Sequence, residues 1–283
     1  MKIAVASGKG GTGKSMVAAN LAFALAASGD VTLVDCDVEE PNLHLFFPAT
    51  ATTREVTVPV PSIDESLCDR CGECGKFCQY GALTVLPDRV LFFPELCHSC
   101  GGCTLVCPKR AIHEEPKRIG TLSASAPLRG IKLITGTLDA GVPLAVPIIR
   151  EVKKEAWQDP LIIIDTAPGT SCPVVEALEG CDACILVTES TPFGLHDLKL
   201  AVDVTARLGI PAGVVINRSD GKDDETLQFC AERDIDVMMT IPFSREIAAI
   251  QNRGNLLCRA RPEWQKDFCA LYVKCQALAG VER

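Results

Sequence analysis

Residues Gly8-Lys9-Gly10-Gly11-Thr12-Gly13-Lys14-Ser15 follow the apolar run Ile3-Ala4-Val5-Ala6, so the chain opens as strand, glycine loop and helix. This spacing is that of a phosphate cradle. Glycines free successive backbone N–H groups to point at phosphate oxygens, Lys14 reaches the β and γ phosphates, and the Ser15 hydroxyl can ligate magnesium. Lys9 lies inside the loop and is not needed by the cradle. A lysine there points away from its own phosphates toward whatever faces the loop, which suggests a partner subunit. The plainer alternatives are a glycine-rich turn for the loop and a solvated lysine at Lys9.

The chain has 283 residues, 47% apolar and 23% charged, enough for one substantial α/β core and a small additional module. A formal charge of -8 argues against a nucleic-acid surface, where lysine and arginine cluster. No apolar run reaches the length of a membrane span, and the first residues enter a strand at once, leaving no room for a secretory signal. The expectation is a cytoplasmic protein with no nucleic-acid or membrane partner. Sixteen cysteines do not form a disulfide framework of that size in a reducing compartment, so their distribution must account for them.

Eight of them fall between Cys68 and Cys107. Cys68, Cys71, Cys74 and Cys78 form C-x2-C-x2-C-x3-C, and Cys97, Cys100, Cys103 and Cys107 repeat it at an offset of 29 residues. Gly72 matches Gly101, Ala82 matches Ala111 and Leu83 matches Ile112; Pro108 follows the last cysteine as in bacterial ferredoxins, where the first copy has Gln79. In such runs three closely spaced thiolates wrap one 4Fe-4S cube and the fourth reaches the other. One cluster is therefore assigned to Cys68, Cys71, Cys74 and Cys107, and the second to Cys97, Cys100, Cys103 and Cys78. Zinc is the competing reading, since C-x2-C pairs also build structural zinc sites, but the repeated x2, x2, x3 phase favours iron-sulfur. Thr50 to Pro61 and Pro116 to Gly120 supply candidate linkers into and out of this module.

Outside the module, Val31 to Val34, Leu161 to Ile164, Cys184 to Val187, Ala212 to Ile216 and Val237 to Ile241 alternate with helical patterns. Continuous β-branched runs indicate strands buried on both faces, hence a mostly parallel sheet flanked by helices. The first helix is predicted from Lys14 to Ala27, ending at Gly29. The predicted fold class is α/β, with segments 1–60 and 119–283 forming a discontinuous core around a small α+β module at 61–118. Ligands of such sheets bind at the carboxyl ends of strands. Asp35 and Asp37 close one run there, and Asp165 closes another in Asp165-Thr166-Ala167-Pro168-Gly169. A strand-end aspartate can hold magnesium through water, and Gly169 lets the backbone approach a γ-phosphate; the alternative is that these aspartates cap turns.

The doubled-lysine loop, Asp35-Cys36-Asp37, the Asp165 to Gly169 segment, Asn217-Arg218 after a strand and Ile241-Pro242-Phe243 resemble the MinD/ParA group of P-loop ATPases. With the cysteine repeat, the chain resembles the members of that superfamily that carry an inserted ferredoxin domain. The resemblance implies a P-loop fold, ATP and Mg2+ beside two 4Fe-4S clusters, and nucleotide binding by Gly8, Lys9, Gly10, Gly11, Thr12, Gly13, Lys14 and Ser15. It makes Lys9 the signature lysine that contacts nucleotide across a dimer, and Asp37 the residue that orients or activates the attacking water. It makes Asp165 a magnesium residue acting through water and Asn217 the adenine amide, with Pro242 and Phe243 packing near the base. Catalysis would rest on Lys9, Lys14 and Asp37, magnesium on Ser15, Asp37 and Asp165, and the switch on Asp35, Asp37, Asp165 and Gly169. An ATP-bound homodimer, or a heterodimer with a paralogous subunit, is implied as well.

Some residues depart from that pattern. Phe268, Leu271, Tyr272, Cys275 and Leu278 make the apolar stripe of a helix packed on the core, where MinD ends in a basic membrane helix. Cys172 lies as far past Asp165 as a cluster ligand does in the nitrogenase iron protein, but no second matching cysteine occurs between Ile119 and Gly141. Cys181 and Cys184 read as buried structural thiols ahead of a redox pair, Cys36, Cys230, Cys258, Cys269 and Cys275 as core filler, and His98 as a surface histidine. Three uses are compatible with these residues: ATP-gated electron delivery to a partner metalloprotein, carriage or assembly of a metal cluster for a client, and, ranked last, positioning with purely structural clusters.

Overall fold

Strand β1 (Lys2–Ala6) shows how two cores arise from one apolar run. Ile3 and Val5 enter one buried cluster, Ala4 and Ala6 the other, and none of the four is more than 2% exposed. A strand buried on both faces needs helices on both sides. The computed structural model describes residues 1–280 and supplies them; residues 281–283, the end of the expected core segment, lie outside the described residues.

After β1 come α1 (Lys14–Leu25), β2 (Val31–Cys36), β3 (Thr52–Ile63), α2 (Glu73–Phe77), β4 (Leu83–Val85), β5 (Val90–Phe92) and α3 (Gly102–Val106). There follow β6 (Ile112–Leu128), β7 (Ile131–Leu138), α4 (Val146–Ala156), β8 (Ile162–Thr166), α5 (Cys172–Leu178), β9 (Ala183–Glu189) and α6 (Pro192–Arg207). The chain continues through β10 (Ala212–Ser219), α7 (Asp224–Glu232), β11 (Val237–Pro242), α8 (Arg245–Asn252), α9 (Leu257–Ala260) and α10 (Trp264–Leu278).

Nine strands form one sheet in the order β11-β10-β9-β1-β8-β2-β7-β6-β3. The pairs from β11 to β7 are parallel, and β6 and β3 are added antiparallel. The five predicted strand runs fall on β2, β8, β9, β10 and β11, and the first predicted helix is observed over Lys14–Leu25. Residues of α1, α9 and α10 fill one face, those of α4, α5, α6 and α7 the other. Phe268, Leu271 and Cys275 of α10 are buried, as the apolar stripe predicts. Among the described residues no helix is long and apolar enough to cross a membrane.

The two expected linkers are not linkers. Thr50 to Pro61 and Pro116 to Gly120 lie in or beside β3 and β6, which pair from Thr52↔Ala124 to Ile63↔Ile112 with one bulge at Val56/Thr57. Prolines read as linker residues because they break ladders, but Pro59 and Pro61 sit on the edge strand of the sheet, where an unmade donor costs nothing. β6 pairs with β7 only from Gly120 onward. Its first eight residues therefore run about 27 Å beyond the carboxyl end of β7, at roughly 3.4 Å per residue, on the same edge as the Gly8 to Ser15 loop. The cysteine lobe stands at the end of this ribbon.

Within the lobe the sequence repeat is a structural repeat. Left-handed backbone recurs at the 29-residue offset in three pairs, Arg70 and Ser99, Gly72 and Gly101, Gly81 and Arg110. Asp64 N–H donates to Ala111 O and Phe93 N–H to Ala82 O, both at 2.8 Å, so each half reaches across to the other. The Leu83↔Phe92 pair of the β4–β5 hairpin is the repeat mate of Ile112↔Ile63, so the ribbon is the lobe's own second hairpin, prolonged into the main sheet.

Candidate functional site

The glycine loop is shaped by contacts that exclude side chains. Gly13 has φ 96°, and a Cβ there would stand 2.3 Å from Asn217 Nδ2; a Cβ on Gly8 would stand 2.1 Å from the carbonyl oxygen of Asp197 on α6. The first turn of α1 carries no acidic side chain and no side-chain cap, which leaves its N–H groups and dipole to an anion. Lys14 is only 6% exposed. A buried ammonium of this kind requires a nearby negative charge.

The carboxylates stand at the ends of the neighbouring strands. Asp35 and Asp165, paired across β2 and β8, are fully buried or nearly so. Asp35 Oδ2 accepts from the N–H groups of Asn42 and Leu43 at 3.0 Å, and Oδ1 from Asp37 N–H at 3.2 Å, so this carboxylate folds the loop that carries Asp37. Burial, reinforced by Asp165, pushes Asp35 well above the usual carboxylate range. Asp165 is raised to about 7, mainly by burial, with Lys14 and Ser15 opposing. Asp37 is raised by burial against the pull of Lys14. Asp165 Oδ1 and Thr12 Oγ1 are buried without a hydrogen-bond partner. An orphaned carboxylate oxygen beside Lys14 and Ser15 is what a hydrated divalent cation and a phosphate chain would satisfy, so the residues present fit magnesium nucleotide.

In the lobe the eight repeat cysteines line two separate cavities. Cys68, Cys71, Cys74 and Cys107 line one; Cys97, Cys100, Cys103 and Cys78 line the other. The fourth cysteine of each run thus faces the three of the opposite run. All sixteen cysteines are free thiols. Ser99 N–H points at Cys97 Sγ at 3.4 Å and Ala111 N–H at Cys107 Sγ at 3.3 Å, the donor pattern that stabilises sulfur ligands. Among the described residues no three His, Cys, Asp or Glu side chains converge closely enough to hold a single metal ion. Four thiols around one cavity are the donor set that a 4Fe-4S cluster takes and also one that a structural zinc ion takes.

Residues 3–257 match the family described as the CobQ/CobB/MinD/ParA nucleotide binding domain. The chain belongs to this family. It is 37% identical over 222 residues to an uncharacterized protein of Methanocaldococcus jannaschii, across 77% of this chain and 80% of that one. It shares the fold of septum site-determining protein MinD from Pyrococcus horikoshii, solved with Mg-ADP, at a TM-score of 0.61 and 20% identity over 99% of this chain and 97% of that one. A shorter stretch of 53 residues, 18% of each chain, is 51% identical to an iron-sulfur cluster carrier protein of Pseudomonas fragi.

The other expected MinD/ParA positions are spread along the nucleotide edge. Lys9 Nζ lies 3.4 Å from Glu189 Oε2, and Arg218 Nη1 lies 2.5 Å from Glu189 Oε1, so one carboxylate holds both cations. Asn217 is 2% exposed, and its amide donates to Thr12 O at 2.7 Å, which supports the loop from beneath. Pro242 and Phe243 end β11, with Phe243 64% exposed. Gly169 N–H donates to Ser7 O at 2.9 Å, tying the expected switch to the start of the loop. Cys172 is exposed at the start of α5. Cys181 and Cys184 are buried, with the Cys181 thiol pushed up to about 12 by burial, which suits structural thiols. Glu189 was missed by sequence reasoning. The strand-end rule that singles out Asp35 and Asp165 applies equally to the last residue of β9.

Proposed function

We propose that this protein binds and hydrolyses magnesium ATP and uses its nucleotide state to control electron delivery from a two-cluster lobe to a partner metalloprotein. The observation that carries the reading is a continuous backbone path. Val38, next to Asp37, accepts from Leu138 N–H at 2.8 Å, and Asp139 N–H donates to Ile119 O at 2.9 Å, at the base of the ribbon that bears the lobe. A displacement of Asp37 on loss of the γ-phosphate therefore has two hydrogen bonds to cross before it reaches β6. Coupling of this sort requires that the two nucleotide states contact the ribbon differently.

Lys14, Ser15, Asp37 and Asp165 are the residues suited to hold the phosphates and magnesium, which supplies charge neutralisation at the phosphoryl group. Two thiol quartets suit two 4Fe-4S clusters, which supply one-electron storage without bond rearrangement. Lys9 is suited to a second copy's nucleotide once Glu189 releases it, which supports an ATP-dependent dimer. The test is the reoxidation rate of the reduced full-length protein by an acceptor metalloprotein recovered from anaerobic extract, measured with ATP, with ADP and without nucleotide. Rates that differ at least tenfold between ATP and ADP are expected; equal rates would sink the gating idea.

The match to a cluster carrier protein favours a second reading, in which a cluster itself is the cargo. Loss of iron from the protein to an iron-free acceptor under ATP would select it, and full retention would remove it.

A further inference from the structure

The repeat makes the two thiol cavities comparable position by position. At the 29-residue offset, Asp69 and Arg70 at the first quartet correspond to His98 and Ser99 at the second, Lys109 corresponds to Tyr80, and Val85 corresponds to Glu114. All eight line their respective cavities. With histidine counted neutral, the first set sums to one positive charge and the second to one negative charge. Backbone and ligands are equivalent, so this difference of two unit charges lies in side chains alone.

We propose that Arg70, Lys109 and Glu114 set the order in which the two quartets accept electrons, making the Cys68, Cys71, Cys74 and Cys107 side the resting place of the electron. Reduction adds one negative charge to a cluster, so nearby cations favour it and a nearby carboxylate opposes it. Arg70 is kept beside the first quartet by a 3.3 Å bond from Nη1 to Asp88 O, and Lys109 by Asp69 at 3.7 Å. Glu114 approaches the second quartet where Gly101 leaves room, its Oε1 being 3.0 Å from where a Cβ would stand. Sharing one electron between the quartets moves it from the second, which is oxidised, to the first, which is reduced, with no proton or bond exchanged.

The direction has a spatial meaning. Along β6, Ile112 lines the first cavity and Glu114 the second, before the strand reaches β7 at Gly120. The second quartet is therefore nearer the nucleotide core, and the first lies toward the β4–β5 hairpin at the free end. An electron settles away from the core, where a partner can take it without touching the sheet.

This inference rests on the iron-sulfur reading of the cysteines, and its test separates the two. Anaerobically purified full-length protein is assayed for iron and acid-labile sulfide, then titrated with dithionite and low-potential mediators and followed by EPR. Two cubanes reduced in two separate one-electron steps are expected. The double variant Arg70→Ser, Lys109→Tyr, which installs the second half's residues, should lower the reduced-to-oxidised ratio of the first step by about tenfold at fixed potential, near 59 mV for one electron, and leave the second step in place. Glu114→Val should raise the second step alone, and both shifts should shrink in high salt. A double variant that moves the second step or neither, or a single merged step in the wild type, would overturn the charge assignment while leaving the clusters intact. Absence of two cubanes' worth of iron and sulfide would overturn the iron-sulfur reading itself and this inference with it.

Discussion

The nucleotide edge rests on two hydrophobic clusters that meet at fully buried strand residues such as Ile163 and Ile164, whereas the lobe's own cluster contains only Cys74, Leu83 and Ile112 as buried members. The same chain thus builds its two candidate sites by opposite means. At the nucleotide edge the fold exists first and then buries charges at a cost, visible in the raised carboxyls of Asp35 and Asp165. In the lobe there is too little apolar burial to order so many residues, and on the proposed iron-sulfur reading ligation of the thiols would supply the difference. The proposed reading puts a reversible ligand on the first kind of site and a permanent one on the second.

The largest test of this contrast is removal of iron. Chelation under anaerobic conditions should erase amide-exchange protection across residues 64–111 while β1 and β8 stay protected. A lobe that keeps its protection without iron would place both sites in the same class. A smaller effect is expected from Gly13→Ala. The new methyl group meets Asn217 at a left-handed position, with a cost of about 1–3 kcal/mol, so nucleotide affinity should fall at least tenfold by calorimetry with iron content unchanged. Unaltered affinity would mean that the loop is not preformed.

The smallest change sharpens the account of buried charge. The folded state holds Asp165 protonated up to about pH 7, against 3.8 for the free carboxyl, so it binds a proton that the unfolded chain has released. The contribution of Asp165 to stability without nucleotide therefore declines as pH rises from about 4 to about 7 and is level above that. Asp165→Asn removes this loss. Its melting temperature should exceed the wild type's at pH 8, by an amount equivalent to at most roughly 4 kcal/mol, and the two should converge toward pH 4. A variant less stable than wild type at pH 8 would show that Lys14 depends on Asp165 more than burial penalises it.

Legibility in the sequence followed burial and locality. The parallel strands were readable because Val31 to Val34 and Leu161 to Ile164 are apolar on both faces, and the crossed quartets because cysteine phase is a short-range signal. β7 was overlooked because Lys132, Thr135 and Thr137 interrupt its apolar residues. β3 was mistaken for a linker because it is an edge strand of alternating exposure with two prolines, whose ladder depends on a partner some sixty residues away. Glu189 carried only the signal of an acid at a strand end, and only the fold puts it beside Lys9.

From the sequence alone came the phosphate loop, the acids that end the strands, and a doubled cysteine run whose spacing assigns each thiol to its quartet. All of these are local patterns in which a few neighbouring residues carry the chemistry. Tertiary structure decided that the lobe is joined to the nucleotide edge by paired strands in place of a tether, and which charges surround each quartet. Both depend on backbone hydrogen bonds between distant segments, which every residue except proline can make and which therefore leave almost no mark on residue choice.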